Sequence, residues 1–325
     1  MSRKALCIGI NKYKDHPLKV CVNDANEVAK LLEKNEDGSK NFTVKSLLDK
    51  EATRANMRKA IRELFKNSDD IALLYFSGHG VDDENDGFIV SCDYKEDDYG
   101  LSMPEIIKFV IKSKCKHKIV IFDCCNAGFA GSTGVIGDQS VLSDGTIILT
   151  ASRKDEAARI RRGETNSVFT KLFLQALEGA ASDIFGNTSP SSIYAFIDKA
   201  LGEWDQRPFF KSSVESFISL RQNKPKIDVI VLKRITDHFF TKNRVKKLDP
   251  SYEKTNFIGS MDRTVAPYKN ETNCAAFEDL QAYYKNGLIE PVEESNMYET
   301  AMKSKHCRLT KLGQYYYDLV KSEMI

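Results

Sequence analysis

Two apolar runs that break into small, turn-forming residues constrain this chain more than any other feature. DIALLYFSGHG passes from strand character into Gly78-His79-Gly80, and HKIVIFDCCNAG passes the same way into Cys125-Asn126-Ala127-Gly128. Runs with no polar alternation are buried on both faces, the pattern of central strands in a parallel sheet. KALCIGI near the start, a strand at 43–48 and TIILTAS read similarly. Helical patterns lie between them. Ala25, Val28, Ala29, Leu31 and Leu32 share one helical face, Thr53 is placed to cap a helix over 53–66, residues 102–113 form another, and SVFTKLFLQALEGA ends at Gly179. Strands alternating with helices predict an α/β fold, a mostly parallel sheet with helices on both faces. Chemistry in such sheets gathers beyond the carboxyl ends of the strands, where His79 and Cys125 stand.

A chain of 325 residues exceeds the size, about 250 residues, at which a single core stops growing, so two units are expected. The composition shifts at RQNKPKID, which predicts a first domain over 1–221, a linker over 222–227 and a second domain over 228–325. A net charge of +2 implies no polyanion-binding surface. The eight cysteines form no CxxC pairs, so neither structural zinc nor a disulfide scaffold is expected. The first apolar run is too short for a secretory signal and no run reaches membrane-spanning length, which predicts a cytoplasmic protein with reduced thiols and no membrane partner.

A cysteine nucleophile needs a nearby imidazole to draw off its proton and later protonate the leaving amine. His79 and Cys125 sit at equivalent strand exits, 46 positions apart. Alternation along the strand sends one of Cys124 and Cys125 toward the cleft and the other into the sheet; Cys7 and Cys92 read as small buried hydrophobes, and Cys274 and Cys307 carry no chemistry. His16, His117, His238 and His306 lack the glycine-flanked context and read as surface or loop residues.

These segments resemble a known family. YFSGHG looks like the YSGHG motif of the metacaspases, within the caspase-like superfamily, and DCCNAG looks like their DSCHSG motif. Cys21-Val22-Asn23-Asp24 resembles the C-x-N-D segment after their first strand, and TASRKDEAA with SVFTKLFLQALEG resembles their small-subunit region. The resemblance covers residues 3–221, and four motifs in order make chance a poor explanation. Asn126 and Ala127 depart from it where metacaspases often carry His and Ser. It implies a cysteine endopeptidase with nucleophile Cys125 and acid-base partner His79, and an oxyanion held by the backbone N–H groups of Gly80 and Cys125. It also implies an acidic pocket of Asp24 and Asp123, with Cys21 and Ser77, that takes Arg or Lys before the scissile bond of protein or peptide substrates. Asp24 could instead be a helix N-cap. Calcium is a candidate cofactor because Asp97-Asp98 resembles the paired aspartates of the family's calcium site. No Lys or Arg occurs from Ile119 to Ser152, so a basic-directed enzyme would not cut its own loop at 129–145; Arg159, Arg161 and Arg162 are the better autoprocessing candidates.

Beyond the boundary, AFEDLQAYYKNGLIEPV reads as a helix stopped at Gly287 and running into a strand, and CRLTKLGQYYYDLVKS as a strand leading into a helix. The combination resembles winged-helix domains. Near-balanced charges, with Glu278 and Asp279 on the candidate recognition helix, argue against DNA, and the expected role is a sensor for a small-molecule or protein activator, as in bacterial defence and cell-death effectors. An inactive scaffold and a DNA-binding regulator are the alternatives.

Overall fold

The structure is a computed structural model that describes residues 2–83, 86–95, 98–125, 142–151, 163–201, 207–214, 216–260 and 264–325. It divides into two compact units, Met1–Lys224 and Pro225–Ile325.

The first unit runs β1 (Arg3–Gly9), α1 (Cys21–Glu33), β2 (Thr43–Leu48), α2 (Arg54–Lys66), β3 (Ile71–Ser77), β4 (Gly80–Asp83), β5 (Asp86–Lys95), β6 (Asp98–Ser102), α3 (Met103–Ile111), β7 (His117–Asp123), β8 (Thr146–Thr150), α4 (Val168–Gln175), β9 (Asn187–Thr188), α5 (Pro190–Ala200), β10 (Phe209–Ser213) and β11 (Arg221–Gln222). Six strands form one sheet in the order β10-β8-β7-β3-β1-β2, parallel except for the edge strand β10. The mostly parallel sheet flanked by helices is the α/β architecture expected from the alternating pattern.

Side chains alternate across the sheet as the pleat requires. Leu6 and Ile8 of β1, Leu74 and Phe76 of β3, and Val120 and Phe122 of β7 pack with Met57, Ile61 and Leu64 of α2 and Ile106 and Val110 of α3. Ala5 and Cys7, Leu73 and Tyr75, and Ile119 and Ile121 pack on the opposite face with Val28 and Leu32 of α1, Phe173 of α4 and Ile193 and Ile197 of α5. The helices begin at recognisable caps: the Thr53 hydroxyl accepts from Asn56 N, and the Ser167 hydroxyl from Thr170 N.

Asp82, Asp83, Asp86 and Asp98 lie in a separate antiparallel sheet, β4-β5-β6. Glycines and carboxylates masked the strand signal there, because one face of this small sheet is polar and exposed. The linker expected to begin at 222 also starts inside the first unit. Gln222 pairs in β11 with β9, and the buried Asn223 amide donates to Leu177 O, Ser182 Oγ and Thr188 Oγ1. Asn126 and Ala127, the loop at 129–141 and the Arg159–Arg162 cluster lie outside the described residues.

The second unit holds α6 (Val229–Lys233), α7 (Ile235–His238), β12 (Lys246–Lys247), α8 (Glu271–Lys285), β13 (Ile289–Val292), α9 (Met297–Met302), β14 (His306–Leu309) and α10 (Lys311–Lys321), with a sheet ordered β12-β14-β13. The helix α9 separates β13 from β14, so the two do not form a simple hairpin. Asp279 of α8 does not face solvent. It is 7% exposed and receives both Arg234, at 2.7 and 2.6 Å, and His238 Nε2, at 2.9 Å. His238, at the end of α7, is therefore half-buried against Asp279, and His117, 7% exposed at the start of β7, is buried rather than at the surface. Among the described residues no helix is long and apolar enough to cross a membrane.

Candidate active site

The register of the central sheet brings the two strand exits together. Ser77 at the end of β3 lies opposite Asp123 at the end of β7, and the Gly78 N–H donates to the Asp123 carbonyl at 3.4 Å. His79 and Cys125 each follow by two residues, so they leave neighbouring parallel strands at the same level. Parallel strands stand about 4.8 Å apart, which puts imidazole and thiol on one rim of the sheet.

Both glycines that flank His79 lie in close contact with protein atoms. A Cβ on Gly80 would lie 2.1 Å from the Cys125 carbonyl oxygen and 3.0 Å from Cys124 Sγ; one on Gly78 would lie 2.5 Å from the Tyr13 hydroxyl. Gly80→Ala is expected to destabilise the first unit by about 1–3 kcal/mol through this overpacking, measured as a lower denaturation midpoint with an unchanged m-value.

The imidazole is oriented by elements that sequence reasoning passed over. His79 Nε2 lies 2.7 Å from the backbone carbonyl of His16, an acceptor, so Nε2 carries the proton and donates. The other nitrogen, Nδ1, is then the one that can take a proton from a thiol. The His79 N–H donates to the Tyr13 hydroxyl at 3.0 Å, and the two rings meet with centroids 4.6 Å apart. A main-chain carbonyl has no sequence signature, and His16 was weighed only by its ring.

The two cysteines differ in environment. Cys124 is fully buried, and burial pushes its thiol well above the ordinary range, whereas Cys125 is half-buried. A buried protonated thiol is a poor nucleophile.

Asp24, Ser77, Asp123 and Cys21 converge beside the same rim. Asp24 is fully buried one turn into α1; Val20, not Asp24, occupies the N-cap position. Its carboxylate accepts from Ser77 Oγ at 3.0 Å, Asn166 Nδ2 at 3.0 Å and Ser167 N at 3.2 Å. Asp123, 3% exposed, accepts from Thr170 Oγ1 at 2.6 Å and from the Ser167 hydroxyl. Burial, and then the neighbouring charge of Asp123, push Asp24 up to about 7; burial also raises Asp123, against the hydrogen bonds from Ser167 and Thr170. The Cys21 thiol is pushed up to about 12 by burial and the two carboxylates, against a lowering contact with the Ser77 side chain. Two carboxylates enclosed this closely repel one another, and each disfavours the ionised form of the other. Asn166, Ser167 and Thr170 were missed because they carry no motif of their own. Asn166 also donates to Glu27 at 2.7 Å, one helical turn beyond Asp24.

Of the paired aspartates in the calcium reading, only Asp98 is among the described residues. Asp98 is half-exposed and paired with Arg54 Nη1 at 3.0 Å, Asp97 lies outside the described residues, and no group of three or more metal-ligating side chains converges among those described.

Comparison with known proteins agrees with this architecture. A caspase domain family model matches residues 2–217. Among solved structures, a protein of Geobacter sulfurreducens superposes with a TM-score of 0.51 at 19% identity, covering 69% of this chain and 98% of its own. Caspase-1 from Spodoptera frugiperda superposes with a TM-score of 0.47 at 16% identity, covering 68% of this chain and 91% of its own. A search of curated proteins gave no match. Identities this low speak to fold alone, but the family match spans all six strands of the central sheet and both strand exits, and on that ground the chain belongs to the caspase domain family.

Proposed function

We propose that the protein is a cysteine endopeptidase of the metacaspase type that cleaves after Arg, and less efficiently after Lys, with Cys125 as nucleophile and His79 as acid-base partner. The observation that carries this reading is the shared level of the two strand exits, with His79 Nε2 engaged by the His16 carbonyl so that Nδ1 serves the thiol. His79 takes the Cys125 proton, the thiolate adds to the scissile carbonyl carbon, and the N–H groups of Cys125 and Gly80 receive the oxyanion. The imidazolium protonates the departing amine as the C–N bond breaks. His79 then deprotonates a water that hydrolyses the thioester and restores the thiol.

The buried carboxylates of Asp24 and Asp123 support the preference for Arg, whose planar fork of donors satisfies two carboxylates better than a lysine ammonium does. We read residues 228–325 as a winged-helix-like sensor domain that controls the peptidase in a defence or cell-death role; the succession of α8, β13, β14 and α10 supports this, and the inserted α9 departs from it. The absence of Lys and Arg over Ile119–Ser152 supports an enzyme active as one chain.

The test is hydrolysis of fluorogenic peptides varied at the residue before the cut, with calcium and with a chelator. The expected result is turnover after Arg above Lys, with neutral and acidic residues at least about 10²-fold slower, from the 3–5 kcal/mol attached to an unpaired buried charge. Turnover after Asp instead would refute the assignment of the pocket.

A further inference from the structure

We infer that Tyr13 is a positioning residue for His79, holding the backbone of the histidine while the same loop holds its ring; this rests on the Cys125–His79 reading above. Tyr13 is 4% exposed, in the loop between β1 and α1. Its hydroxyl has one proton, directed to the Val90 carbonyl at 3.3 Å, and a lone pair that takes the His79 N–H at 3.0 Å. Three residues later the His16 carbonyl takes Nε2 at 2.7 Å. One loop thus grips His79 at the main chain and at the far end of the side chain, leaving little rotation to the ring between them.

The loop is itself restrained. Asn11 N and Lys12 N donate to Asp49 Oδ1 at 2.8 and 3.0 Å, Leu18 N donates to Asn11 O at 2.8 Å, and the Tyr94 hydroxyl donates to Asp15 at 2.9 Å while its ring stands 6.2 Å from that of Tyr13. Gly78 completes the arrangement, since any Cβ there would lie 2.5 Å from the Tyr13 hydroxyl and displace it. Burial raises the phenol well above its ordinary range, so the hydroxyl stays protonated wherever thiol chemistry operates. A site held this way loses rate, not affinity, when the hold is released, because misplacement of an acid-base group by a fraction of an ångström acts on the transition state.

Tyr13→Phe in the full chain keeps the ring and removes only the hydroxyl. The expected result for an arginyl peptide is a kcat lower by about 10–100-fold with KM within about twofold. Iodoacetamide alkylation of Cys125, followed from pH 5.5 to 8.5, should slow towards the His79→Ala profile at the acid end, with the thermal midpoint within a few degrees of wild type. Wild-type kcat together with a wild-type alkylation profile would overturn the inference. So would a raised KM at constant kcat, which would make Tyr13 a substrate contact. If the wild-type chain cleaves no peptide yet Tyr13→Phe still shifts alkylation, the peptidase reading fails and the positioning role stands.

Discussion

Cys125→Ala should abolish peptide hydrolysis, lowering kcat by about 10⁴-fold or more, as removal of a covalent nucleophile does elsewhere. His79→Ala should fall to a similar level, and the double variant no lower, because nucleophile and base act as one unit. Cys124→Ala, by contrast, should keep kcat within about fivefold, since that thiol lies in the apolar layer beneath the sheet rim and its loss removes only a small buried group. Single-turnover assays on the four variants separate the adjacent cysteines cleanly: equal losses at Cys124 and Cys125 would remove the assignment of the nucleophile.

Asp24→Asn should lower kcat/KM for arginyl peptides by about 10²–10³-fold, from the 3–5 kcal/mol penalty of leaving a buried charge without its partner. The same change should stabilise the unliganded protein at alkaline pH. Burial and the charge of Asp123 raise Asp24 from 3.8 to about 7 in the folded chain, so folding favours the protonated form. The stability this contributes is fully present below the unfolded value of 3.8 and is lost as pH rises through about 7. Wild type should therefore weaken relative to Asp24→Asn across that interval, by up to a few kcal/mol at pH 8. Urea denaturation of both chains at pH 4.5 and pH 8 measures the crossover. Substrate binding runs the other way: a guanidinium needs the carboxylate, so KM for arginyl peptides should climb as pH falls below about 7, by up to tenfold per unit. A gain in stability with no loss of arginine selectivity would show Asp24 to be structural only.

On the proposed reading, the tension at Asp24 is that of a site whose ligand is absent most of the time. The hydroxyls and amide around the two carboxylates hold them in place without neutralising them, and an incoming guanidinium would supply the missing charge. Ser167 links this cluster to the fold, since its hydroxyl accepts the first turn of α4 from Thr170 N and donates to Asp123.

Much of the first unit was legible in the residues because its strands are buried on both faces and its helices on one, so periodicity alone separates them. The β4-β5-β6 sheet was not, since Asp82 and Asp83 are exposed and Asp86 only half-buried, so that strand pairing there leaves no apolar pattern in the composition. His117 and His238 were misread for the opposite reason. Their neighbourhoods in sequence are charged, and only the packed chain encloses His117 and half-buries His238.

The sequence by itself determined the alternation that makes the sheet, the two exits where a histidine and a cysteine stand, and the acidic residues near them, because each of these depends on side-chain type at short range. Tertiary structure decided how they act together. The carbonyl of His16 and the hydroxyl of Tyr13 reach His79 across 63 and 66 residues, and Asn166 reaches Asp24 across 142. Hydrogen bonds formed over such separations depend on strand register and on the path of a loop, and a main-chain acceptor leaves no mark in the order of the amino acids.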